Sequence, residues 1–165
     1  MAKLVIDEED DASARLSHQA GAFFLHALFA LVSWIAMMMV GYAINPSYVP
    51  QVIVLALSFL IPMFAGNVFI RLKPDEMATN IWLAGLIWFL MICLWILDMP
   101  TGPNACFQCD ATAKITRTLF SFPAPSGLID NNGPFFGTWP AMALVGYALG
   151  ARLGLRRMAR STPAE

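Results

Sequence analysis

No Asp, Glu, Lys or Arg occurs between Leu16 and Ile70, and none occurs between Met77 and Leu97. Charge-free blocks of this length cannot fold as a soluble domain, because water would have to meet too much apolar surface. A membrane-spanning helix needs ~20 mainly apolar residues. The first block, broken by Asn45-Pro46-Ser47-Tyr48-Val49-Pro50, therefore holds two spans and a tight turn, and the second holds one. A further apolar stretch begins near Thr138 and ends near Leu155. The expectation is an all-α integral membrane protein with four transmembrane helices near residues 20–44, 51–71, 79–98 and 138–155. Helices are required because an isolated strand leaves its backbone unsatisfied in lipid.

Composition agrees: 58% of the residues are hydrophobic and 13% charged, with a net charge of -1. No basic field exists for nucleic acid, which is not an expected partner. The segment before the first span, Asp7-Glu8-Glu9-Asp10-Asp11, is acidic where a secretory signal is basic, so the first span is read as retained.

Basic residues set the orientation. Lys3 and Arg15 precede span 1, Arg71 and Lys73 lie between spans 2 and 3, and Arg152, Arg156, Arg157 and Arg160 close the chain. Only Lys114 and Arg117 fall on the other side. In a bacterial inner membrane, which the composition suggests, this asymmetry predicts both termini cytoplasmic and loop 99–137 periplasmic. The chain then divides into an acidic cytoplasmic tail (1–15), a four-helix membrane domain (16–155) and a basic cytoplasmic tail (156–165). In the outer loop, Asp110 as N-cap and Ile115, Leu119 and Phe122 at helical spacing predict a short interfacial helix over about 111–121.

Three features are candidates for function. Gly146, Gly150 and Gly154 form a G-x-x-x-G-x-x-x-G run that lets another backbone approach closely. The partner is either a neighbouring span or another subunit. Cys106 and Cys109 form a C-x-x-C pair facing an oxidising compartment, read as a structural disulfide or as a redox pair. His26 is an ionisable side chain inside a span, open to two readings: haem or chlorophyll-type pigment ligation, or a hydrogen bond to a neighbouring helix. Pro62 predicts a kink in span 2, near Ser58 and Asn67. Trp88 and Trp95 share one face of span 3. The spans contain neither a midplane carboxylate nor a cationic clamp, so coupled transport is not expected.

Four spans, cytoplasmic termini and a cysteine-bearing outer loop resemble the disulfide-bond-generating quinone reductases of bacterial inner membranes. The resemblance covers topology and length, and implies electron flow from thiols to quinone. That family carries a second cysteine pair at the start of span 2. Asn45 to Gln51 contain no cysteine here, and Cys93 lies inside span 3. In the four-helical vitamin K epoxide reductase family the C-x-x-C lies within a span, unlike Cys106 and Cys109. The favoured expectation is a small subunit that packs against and stabilises a larger membrane complex, with lipid and partner subunits as its contacts. A membrane thiol-disulfide oxidoreductase and a haem- or pigment-binding protein are the alternatives.

Overall fold

The computed structural model describes residues 2–44, 51–98, 110–112, 115 and 135–161. Among them no strand occurs, and the helices are α1 (Ala2–Ile44), α2 (Gln51–Leu72), α3 (Trp82–Asp98) and α4 (Phe135–Ser161), with a 3-10 segment, Glu76–Asn80, leading into α3. Three stretches are long and apolar enough to cross a membrane: Ser13–Gly41, Ile53–Leu72 and Glu76–Asp98. The described residues are thus helical, and the chain is an integral membrane protein. Of the interfacial helix expected near 111–121, only residues 111, 112 and 115 are described.

The 43 residues of α1 would extend about 64 Å, twice the ~30 Å hydrocarbon thickness. Burial explains the excess. Residues 13–21 are exposed on every side, and packing on the rest of the molecule begins after them with Ala22 and Phe23. The helix therefore runs unbroken through the acidic segment expected as a separate tail.

Glycine contacts define how α2 and α4 lie. A Cβ placed on Gly146 would collide with the Phe59 carbonyl, one on Gly150 with the Met63 carbonyl, and one on Gly154 with Ile70, close to the Asn67 backbone. Residue numbers on both helices rise by four together, so α2 and α4 are parallel and in register. From the α2 side, Gly66 meets the Tyr147 carbonyl in the same way. Absence of side chains on both faces permits backbone-to-backbone packing, and dispersion across that contact holds the pair together in lipid.

Helix α1 is antiparallel to α2. Phe29 stacks on Phe69 with ring centroids 4.4 Å apart, and the Trp34 indole Nε1 donates to the Ser58 hydroxyl at 3.1 Å. Moving forward along α1 thus means moving back along α2. The N-terminal end of α1 and the C-terminal ends of α2 and α4 consequently share one end of the bundle. Pro62 is buried within α2, which continues through it to Leu72.

The core is made of small and medium side chains: Ala30, Ile70, Ala78, Ile81, Leu144, Tyr147, Ala148 and Ala151. Its centre is α4, which packs chiefly on α2, then on α3 and more lightly on α1. Helix α3 joins on the far side of α4, where Gly85 approaches the Ala141 carbonyl and the Leu144 and Val145 side chains. Among the described residues α3 has no comparable contact with α1 or α2. The assembly is therefore a three-helix core carrying an outlying fourth helix.

Candidate functional site

The buried polar centre is built from three separate elements. His26, on the first packed turns of α1, is 3% exposed, and its Nδ1 lies 2.9 Å from the hydroxyl of Tyr147. Tyr147 is on α4, immediately after Gly146, and is fully buried. The other imidazole nitrogen, Nε2, faces Asp75 Oδ2 at 3.9 Å. Asp75 belongs to the α2–α3 connection and is brought inward by its local role. It caps the 3-10 segment with extended backbone (φ -148°, ψ 120°), and its Oδ1 accepts the Met77 backbone N–H at 2.9 Å. Placing one carboxylate oxygen on the backbone directs the second towards α1.

One tautomer suits both sides of the imidazole. With the proton on Nε2, the Tyr147 hydroxyl donates to Nδ1 and Nε2–H is aimed at the carboxylate. The 3.9 Å gap is too long for a hydrogen bond, and Nε2 has no other partner within reach. The row thus ties α1, α4 and the α2–α3 connection together. It ends at a phenol with no access to solvent, while Asp75 retains 16% of its side-chain exposure. A chain open at one end and closed at the other suits a structural clasp better than a through-path for protons.

The same geometry bears on haem ligation by His26. Nδ1 is engaged by Tyr147, and an iron on Nε2 would have to take the place of the Asp75 carboxylate. No group of three or more His, Cys, Asp or Glu among the described residues could hold a metal ion. Cys106 and Cys109 lie outside the described residues. Cys93 is a half-buried free thiol within α3.

The glycine run faces inward. Gly146, Gly150 and Gly154 are buried against α2 of the same chain, so this face is not open to another subunit. Ser58 and Asn67 do not form a shared polar site with each other: Ser58 accepts from Trp34, and Asn67 lies beside Gly154. Trp88 and Trp95 remain 40% and 46% exposed on α3.

Tyr147 and Asp75 were not singled out by sequence reasoning as partners of His26. Asp75 did carry a local signal, since Pro74-Asp75-Glu76 is a helix-start pattern. Nothing in that pattern says that the capping carboxylate turns inward. Tyr147 stands out only as a phenol within a run of small residues, and its hydroxyl requires a partner once buried. No family model matches the chain, and no curated protein or solved structure does so either.

Proposed function

We propose that this chain is a small four-span membrane subunit that packs against and stabilises a larger membrane complex. The attachment of α3 carries the proposal. Among the described residues it packs chiefly on α4, leaving Leu86, Ile87, Trp88, Leu90, Met91, Leu94 and Trp95 exposed along its length. In a closed four-helix bundle each helix rests on two neighbours. Here one neighbour is missing, and the open side presents two tryptophans and a methionine, side chains enriched at protein–protein contacts.

The fourth span is α4. Its composition is less apolar than that of the other three because most of its surface meets protein, where glycine and alanine serve better than leucine. Its outer face carries the apolar residues Val145, Leu149 and Leu153, and the arginines Arg152, Arg156 and Arg160 follow at the C-terminal end. That succession fits a helix leaving hydrocarbon for the headgroup layer. The parallel course of α2 and α4, with α1 antiparallel, supports termini on one side. Eight of the ten basic residues belong to that side, which is assigned to the cytoplasm of a bacterial inner membrane, with loop 99–137 in the periplasm.

A photoreactive amino acid introduced at Trp88 or Trp95 tests the docking face in native membranes. Irradiation is expected to give a discrete protein adduct of fixed mass from these two positions and none from Phe24 or Leu28 on α1. Adducts with lipid alone from all four positions would refute it.

A further inference from the structure

We propose that the C-terminal half of α4 is a binding site for an anionic phospholipid, with the headgroup phosphate held by Arg152 and Arg156 and an acyl chain lying along Val145 and Leu149. The proposal rests on the four-span placement of α4.

Spacing comes first. Arg152, Arg156 and Arg160 recur every four residues, so they form one row on a single helix face. Like charges at this spacing repel one another, which costs stability unless an anion lies between them. All three are exposed, and among the described residues no carboxylate lies within 4 Å of any of them. The nearest acidic residues in the α2–α3 connection do not supply the counter-charge. Asp75 is occupied elsewhere, with Oδ1 accepting the Met77 N–H of its own cap and Oδ2 facing His26. Glu76 is exposed on the 3-10 segment and makes no ion pair among the described residues.

Continuity with the apolar face selects the ligand. Val145, Leu149 and Leu153 are the exposed large apolar residues of α4, and they occupy the same side as the arginine row. A free phosphate would engage the arginines and leave that apolar track unused. A phospholipid engages both, since its phosphodiester accepts from guanidinium groups while its chain covers the leucine and valine above. Arg71, Lys73 and Arg157 lie at the same end, because the parallel register that sets Asn67 against Gly154 carries both helices on towards their C-terminal ends together. They add positive potential that favours an anionic over a zwitterionic headgroup.

The test uses full-length protein in mild detergent, offered equimolar phosphatidylglycerol and phosphatidylcholine, with retained lipid read by native mass spectrometry. Retention of phosphatidylglycerol over phosphatidylcholine is expected. Arg152→Gln/Arg156→Gln should lower it by roughly 25-fold, about five-fold per cation. The Lys114→Gln/Arg117→Gln variant should retain wild-type selectivity, and Arg152→Lys/Arg156→Lys should retain most of it. Equal retention of the two lipids by the wild type would overturn the proposal, and so would an equal loss in the loop variant. Displacement by millimolar inorganic phosphate would identify free phosphate as the ligand and overturn it also. Reporter fusions after Glu165 separate this from the topology: a cytoplasmic C-terminus preserves the four-span placement whatever the lipid result.

Discussion

At Gly150 a single hydrogen atom decides whether α2 and α4 can touch, because a methyl group there would meet the Met63 carbonyl. Gly150→Ala should therefore cost about 1–3 kcal/mol, the range typical of overpacking, measured by reversible unfolding in mixed micelles. Gly21→Ala is the control. A Cβ at Gly21 meets nothing within 4 Å, so that change should be neutral or slightly stabilising through helix propensity. Equal effects from the two would remove the packing explanation. The buried imidazole makes a second residue-scale prediction. Tyr147→Phe deletes the hydroxyl on His26 Nδ1 and strands a buried nitrogen, which should destabilise by about 1–2 kcal/mol. Trp34→Phe removes the bond to Ser58, but the hydroxyl can turn to a carbonyl of its own helix, so the cost should be about 0.6 kcal/mol. The reverse order would show that the His26 contact is not the tighter clasp.

Helices differ in how plainly their sequences announce them. Residues that face lipid must be apolar, so α2 and α3 stand out as charge-free runs, and their observed limits, Gln51–Leu72 and Trp82–Asp98, lie close to the expected 51–71 and 79–98. Helix α1 hides its start, because the acidic segment is compatible with both coil and helix. Helix α4 is the hardest to read. Its glycines were legible as a packing face, yet their partner depends on which helix the chain folds against them, and that is set by tertiary contact. The His26 site was half-visible for the same reason: the histidine signals itself by its place in an apolar run, whereas Asp75 and Tyr147 become partners only after three elements assemble. At this scale the outer face of α4 supplies the prediction. Leu149→Arg should reduce membrane integration, against a penalty of ~2.5–3.5 kcal/mol for an arginine at a helix centre, whereas Arg156→Leu should integrate normally. Integration is read from protease protection of the C-terminus, and equal protection in both variants would count against a lipid-facing Leu149.

The whole molecule combines a three-helix centre, α1, α2 and α4, with α3 set against one side of α4. Glycine packing between α2 and α4, the Phe29–Phe69 stack and the His26 clasp join α1, α2 and α4 from three directions, whereas α3 meets α4 beside Gly85 and is tied to the centre through the 3-10 segment before it. On the proposal made above, the exposed tryptophan face of α3 is the surface that meets a partner subunit. Extraction in a mild detergent followed by native mass determination of the intact species tests this most directly. A stoichiometric assembly much heavier than the 18.1 kDa chain, containing at least one other membrane protein, is the predicted result. A species of one or two copies with no other protein would contradict it.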